Sequence, residues 1–126
     1  MAQRLGLIIG NSEYEDPTLA RLKKSNADVN GLAEVLRSPQ IGGFDQVTTL
    51  IDQSSYVVRR EIARFFAGKR RDDLLLLYFS GHGVKDDRGY LYLAVKDTEH
   101  NLLSATAVSA ASISEEMDQT GCSVWC

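Results

Sequence analysis

The chain has 126 residues, 44% of them hydrophobic and 25% charged, which suits one globular domain with enough apolar side chains for a core and argues against disorder. A net charge of −3 leaves no general affinity for polyanions, and the one basic cluster, Lys69-Arg70-Arg71, is answered at once by Asp72-Asp73, so nucleic acid is not an expected partner. No apolar run approaches the roughly 20 residues of a membrane helix, and the only cysteines, Cys122 and Cys126, stand in the last five residues, where they staple nothing and leave cytoplasm as the default compartment.

In chain order, residues 4–9 form a short apolar run closed by Gly10-Asn11 and read as a buried parallel strand. A polar loop interrupted by Pro17 follows. Ser25 and Asp28 have the spacing of a capping box, and Val29, Leu32, Ala33 and Leu36 recur on one helical face until Ser38-Pro39 ends the helix. Val47, Thr48, Thr49 and Ile51 are β-formers and make a second strand over 46–51. Ser54 or Ser55 caps a second helix with Val58, Ile62, Phe65 and Phe66 inside and Arg59, Arg60, Glu61 and Arg64 outside, and Gly68 closes it.

Residues 74–79, in a strand expected over 73–79, then give four leucines and two aromatics without polar interruption, the pattern of a strand buried on both faces in the middle of a sheet. The order strand, helix, strand, helix, strand predicts a mainly parallel α/β sheet, with the third strand beside the first. The run ends in Ser80-Gly81-His82-Gly83, which sets one ionisable ring between two glycines at the carboxyl end of that strand, where open α/β sheets collect ligands and chemistry. His82 is the leading candidate for proton transfer, and the bare amide of Gly83 for holding an oxyanion.

Beyond it, Asp86-Asp87-Arg88-Gly89 is turn material and Tyr90-Leu91-Tyr92-Leu93 alternates like a small surface hairpin. Residues 102–111 carry little pattern. Ser112 with Glu115 suggests another capping box, and a third helix is expected over 112–119, stopped by Gly121. There are no internal repeats. Metal and nucleotide chemistry find no support, since His82 and His100 lie far in sequence from the Cys122/Cys126 pair and no phosphate-binding glycine motif occurs. No cofactor is expected.

These residues resemble the caspase-like cysteine peptidases, including bacterial caspase homologues and metacaspases. Leu7-Ile-Ile-Gly-Asn11 with Tyr14 is similar to the family's first strand and the loop after it, and the stretch from Leu22 through Asp28 to Leu36 to its first helix. Leu76-Leu-Tyr-Phe-Ser-Gly-His-Gly83 resembles the strand ending in the catalytic histidine, and Gly89-Tyr-Leu-Tyr-Leu93 to Asp97 the segment beyond. Ser-Gly-His-Gly also occurs in gingipain-, separase- and CHAT-type peptidases, so the N-terminal half carries the likeness to caspases in particular.

The resemblance implies a three-layer α/β/α sandwich and a Cys–His dyad, with His82 as general acid/base and the Gly83 N–H as oxyanion donor. It implies a peptide or protein substrate. It also implies a further buried strand ending in an Asp-x-Cys-x-x-Gly-like motif. That motif is absent from residues 1–126, and neither Cys122 nor Cys126 matches it. The chain is therefore expected to be the N-terminal, His-bearing part of such a domain, truncated before the nucleophile's strand and inactive alone. Residues 74–79 would then form an open apolar edge prone to self-association or to pairing with a complementary fragment. A non-catalytic interaction module using that edge is the alternative. For specificity, Lys24 lies near the place where caspases hold an acidic side chain and Asp16 or Asp28 are candidates for holding a basic one, beside the plainer readings of Lys24 as a solvated lysine and Asp28 as a helix cap.

Overall fold

In the computed structural model, which describes residues 3–22, 25–120 and 123–125, the hydrophobic pattern becomes a parallel sheet flanked by helices. Strand β1 (Arg4–Gly10) lies between β2 (Gln46–Ile51) and β3 (Leu74–Ser80), parallel to both. Helices α1 (Ser25–Arg37) and α2 (Ser55–Phe66) make the crossovers, as expected from the alternating order. After β3 come β4 (Gly83–Lys85), β5 (Leu91–Leu93), α3 (Leu103–Thr106), β6 (Val108–Ser109), α4 (Ala110–Thr120) and β7 (Ser123–Trp125).

The alternation of side chains along the strands builds the layers. Leu5, Leu7 and Ile9 of β1 join Leu75 and Leu77 of β3 on one face, against Val58, Ile62 and Phe66 of α2 and Ile113 of α4. Ile8 faces the other way, into Val29, Ala33 and Leu36 of α1 and Val47 of β2. The result is the expected α/β/α sandwich. Gly10 permits the close approach of α1, since a Cβ there would stand 2.4 Å from Val29 Cγ2.

The small sheet β4-β5-β6 is antiparallel and includes the anticipated hairpin. Its third strand and helix α3 come from 102–111, a stretch with too few apolar residues in register to betray elements of two and four residues.

Several expectations need correction. Strand β7 runs parallel to β3, with Ser123, Val124 and Trp125 opposite Leu74, Leu75 and Leu76. The chain thus does not halt before a further strand, and the proposed open edge along 74–79 is already covered over its first half. Three residues are too short a run to show periodicity, which is why the strand escaped a reading by pattern. Ser25 does not close a capping box with Asp28: it is buried, its hydroxyl donates to Ser80 Oγ at 2.8 Å, and it accepts the Asn11 N–H at 3.2 Å. Asp28 is exposed in the first turn of α1. Helix α4 begins two residues earlier than expected, with Ser109 Oγ accepting the Ser112 N–H at 3.4 Å, so Ser109 takes the capping role assigned to Ser112.

For α2, Ser54 is the cap, accepting from the Val57 N–H, and Asp97 adds a carboxylate from a distant loop, 2.7 Å from the Ser55 nitrogen. Asp73 answers the basic cluster through the charges of Arg70 and Lys69, and its carboxylate also binds backbone. Its two oxygens accept the N–H groups of Gln3 (3.0 Å) and Arg70 (2.8 Å), tying the start of β3 to the start of β1, while Asp72 lies 3.6 Å from Arg70.

Candidate functional site

The carboxyl ends of β1, β2 and β3 converge on one edge of the sheet, and the loop from Asn11 to Leu22 lies across it. That loop is pinned at several places. The Asn11 N–H reaches the Ser80 carbonyl at 2.9 Å, the Leu22 N–H closes the loop's base on the Ser12 carbonyl at 2.8 Å, and the Glu15 N–H reaches the Lys96 carbonyl at 2.9 Å. Asp52, just past β2 and at φ 51°, accepts the N–H groups of Ser12 (2.8 Å) and Glu13 (3.0 Å) and the Asn26 side-chain amide (3.3 Å). Partial burial works to raise the Asp52 carboxyl, but those N–H groups, the Asn26 amide and the Lys96 charge outweigh it and hold it below the ordinary carboxylate range. An aspartate in the left-handed region is one of the few non-glycine residues that tolerates it.

His82 sits in the bend after β3, half-buried beneath this loop. Its Nε2 lies 2.7 Å from the Ala20 carbonyl oxygen. A carbonyl only accepts, so Nε2 carries the hydrogen, and in the neutral ring Nδ1 is left with the lone pair that takes up a proton. The His82 N–H donates to Tyr14 Oη at 3.0 Å, and the phenol and imidazole rings lie 5.0 Å apart, tilted by 48°. Gly81 makes room for that contact, because a Cβ there would come within 2.9 Å of Tyr14 Oη and 3.0 Å of the Phe79 ring.

The Gly83 N–H is turned outward. Gly83 stands opposite Leu93 in the β4–β5 ladder, and the Ala94 N–H donates to the His82 carbonyl at 2.9 Å one step beyond. In an antiparallel ladder that makes Gly83–Leu93 a pair whose amides point away from each other. The edge therefore presents an oriented imidazole and, next to it, a backbone donor free of the ladder. Together they can move a proton and hold a developing negative charge.

The other sequence candidates divide. Asp16 accepts the Thr18 N–H and hydroxyl and the His100 N–H (2.7 Å), bonds that keep its carboxyl below the usual range, the His100 N–H contributing most. It organises the loop and is not aimed at His82. Asp28 lies exposed on α1, and Lys24, Gly121, Cys122 and Cys126 lie outside the described residues. Among the described residues no group of three His, Cys, Asp or Glu side chains is placed to hold a metal ion, and no helix is long and apolar enough to cross a membrane. Sequence reasoning missed the Ala20 carbonyl, a backbone atom that no side-chain pattern marks. It also missed Asp52, whose only signal was an aspartate closing a strand ahead of a Ser-Ser cap.

A cleft beside the loop is lined by Ser12, Glu13, Arg21, Leu22, Asn26 and Asp52. Ser12 Oγ and Asn26 Oδ1 are buried there without a hydrogen-bond partner, as is the Asn11 side-chain amide beneath them, and Arg21 and Glu13 pair at 3.3 Å on the exposed rim.

The same architecture recurs in solved structures. Caspase-1 from Spodoptera frugiperda superposes with a TM-score of 0.73 at 17% identity, over 98% of this chain and 46% of that one. The Drosophila initiator caspase Dronc gives 0.70 at 11% identity, over 94% and 42%. A protein from Geobacter sulfurreducens gives 0.75 at 19%, over 97% and 48%. At such identities the likeness is one of fold, and the chain spans less than half the length of each. No curated protein matches the sequence. The family model of the caspase domain, however, matches residues 3–121. It takes in the first strand, the pinned loop and the Ser-Gly-His-Gly bend together, and the chain belongs to the caspase family.

Proposed function

We propose that this chain is the His-bearing part of a caspase-like cysteine endopeptidase domain, with His82 as general acid/base and the Gly83 N–H as oxyanion donor. The observation that carries the reading is the pairing of a fixed Nε2–H, held by the Ala20 carbonyl, with a neighbouring amide turned out of its ladder. In this scheme Nδ1 of His82 takes the proton of a cysteine thiol and the thiolate attacks the peptide carbonyl carbon. The Gly83 N–H holds the oxyanion, and the imidazolium returns its proton to the departing amine as the C–N bond breaks. Water then hydrolyses the thioester with the same histidine as base.

In this reading the register of β7 favours a thiol further along that strand than Trp125. Trp125 stands opposite Leu76, so on this strand the level of His82 is reached six positions past Trp125, about 20 Å along the strand. Neither Cys122 nor Cys126 is the nucleophile in this reading, and the 126 residues alone are inactive. The compartment we assign is cytoplasm, in keeping with two cysteines placed where no staple is needed. A second reading, a non-catalytic module that binds a protein partner or another copy by strand addition, has one observation in its favour. Among the described residues, Leu77–Ser80 of β3 pairs with β1 on one side and with no strand on the other.

The test is to assay the 126-residue chain, alone and mixed with a fragment supplying an apolar strand that ends in Asp-x-Cys-x-x-Gly, on peptides with Asp, Arg or Lys before the scissile bond. Turnover is expected only in the mixture, with His82→Ala removing it. Turnover by the chain alone that Cys122→Ser or Cys126→Ser abolishes would overturn the assignment of the nucleophile. Binding of the fragment without turnover would favour the module.

A further inference from the structure

The hairpin after His82 follows the antiparallel pattern, with an incomplete rung at each end. Residues 84 and 92 are partners, the Asp86 N–H donates to the Tyr90 carbonyl at 3.0 Å, and the Ala94 N–H donates to the His82 carbonyl at 2.9 Å. These alternate rungs, 86 with 90, 84 with 92 and 82 with 94, are the hydrogen-bonded ones, and a closed rung exchanges two bonds. At 86 and 90, beside the turn, the Tyr90 N–H goes to Asp86 Oδ1 at 2.9 Å, and at 82 and 94 likewise only one forms. The His82 N–H that would complete it goes instead to Tyr14 Oη, 68 residues earlier in the chain.

Tyr14 is built to receive it. Its oxygen sits in the notch left by Gly81, lies 3.5 Å from the Asn11 carbonyl, and its ring backs the imidazole. Burial pushes the phenol up from its ordinary value. The His82 N–H pulls the other way, and the Asp52 charge adds to the rise, so the group stays a neutral hydroxyl that both accepts and donates.

We propose that Tyr14 is a positioning residue. Its hydroxyl draws the His82 N–H out of the ladder, so that Nε2 reaches the Ala20 carbonyl. Its relevance to peptide hydrolysis rests on the function proposed above, while the geometric role stands apart from it. Without the hydroxyl, the open partner for the His82 N–H is the Ala94 carbonyl. Closing that rung rotates the bend, withdraws Nε2 from Ala20 and removes the bias toward the Nε2–H tautomer.

The tautomer is the readout, because a role in stability alone would not move it. Imidazole nitrogen NMR shifts of neutral His82 in the 126-residue chain are expected to show Nε2–H in excess over Nδ1–H. In Tyr14→Phe, which keeps the ring, that ratio should fall at least about threefold, the scale of one net hydrogen bond, while Tyr56→Phe, at an exposed position, leaves it unchanged. Gly81→Ala presses on the same oxygen from the other side and should shift the ratio in the same direction. An Nδ1–H majority in the unmodified protein, or a ratio untouched by Tyr14→Phe, overturns the proposal, and the first of these needs no variant to fold. Where the complemented mixture turns over peptide and His82→Ala abolishes it, Tyr14→Phe should lower kcat about tenfold with KM unchanged, and an unchanged kcat overturns the positioning role. Turnover indifferent to His82→Ala would sink the peptidase reading and leave the tautomer ratio to decide this one.

Discussion

The faces of the parallel sheet and its carboxyl edge are held together in opposite ways. On the faces, Leu5, Leu7, Ile9, Leu75 and Leu77 meet Val58, Ile62 and Phe66 through contacts that many apolar side chains would satisfy, and the stabilisation grows with the area removed from water. At the edge, nearly every contact is one hydrogen bond between segments far apart in sequence: His82 to Ala20, His82 to Tyr14, Asp16 to His100, Asp52 to Ser12. Such bonds contribute little net stability each and much orientation. The core makes the fold, and the edge sets the angles of the His82 imidazole and the Gly83 N–H.

The difference can be broken open first from the core side. Leu75 is fully buried between β1 and α2, and Leu75→Ala should lower unfolding free energy by about 2–5 kcal/mol, the usual cost of a leucine cavity. Urea denaturation measures this directly. In the fraction that stays folded, the His82 tautomer ratio should be unchanged, since no edge bond involves Leu75. A loss under about 1 kcal/mol would mean that the sheet faces are not the main source of stability.

The edge should respond to less and in a different manner. Asp52→Asn keeps the shape and tolerates the left-handed backbone, but it removes the charge from bonds to the Ser12 and Glu13 N–H groups, and should cost about 1–2 kcal/mol at neutral pH. Its pH dependence has a definite sign. The folded carboxyl lies below its ordinary value of about 3.9, so its contribution is fully present above that pH and is lost as pH falls through the lower folded value. The gap in stability between the unmodified protein and Asp52→Asn should therefore be flat from neutrality down to about pH 4 and narrow below it. A gap that widens on acidification would show that Asp52 is not held as a bonded carboxylate.

The same division explains what the sequence disclosed. The core of β1, β2 and β3 and both crossover helices were legible because burial imposes periods of two and 3.6 on apolar residues, and Val29, Ala33, Leu36, Val58 and Ile62 all lie where those periods put them. His82 was legible through its chemistry: an imidazole between glycines at a strand end. The rest of the edge was not, because its partners are backbone carbonyls such as that of Ala20, or polar residues such as Asp52 and Tyr14 whose targets lie tens of positions away. Ser25 shows the failure most clearly. Its spacing to Asp28 satisfies the local rule for a cap, yet its hydroxyl is spent on Asn11 and Ser80, so a tertiary demand overrode a local one.

The finest test of that lesson lies at the start of α4. Local spacing favours Ser112, with Glu115 three residues on, as the cap, whereas Ser109 Oγ accepts the Ser112 N–H and the helix begins at Ala110. Ser109 is also the end of β6, paired with Tyr92 of β5, so the small sheet fixes the position from which the helix must start and the cap follows from it. Replacing a capping serine by alanine costs about 0.5–2 kcal/mol, and a bond of 3.4 Å belongs at the lower end, so Ser109→Ala should cost about 0.5–1 kcal/mol. Ser112→Ala should lie within about 0.5 kcal/mol of no effect, because only its backbone N–H takes part and alanine keeps that group while favouring the helix slightly. Paired urea titrations of the two variants decide it. The reverse order of effects would mean that the local capping box governs α4 after all, and that the small sheet does not set where the helix begins.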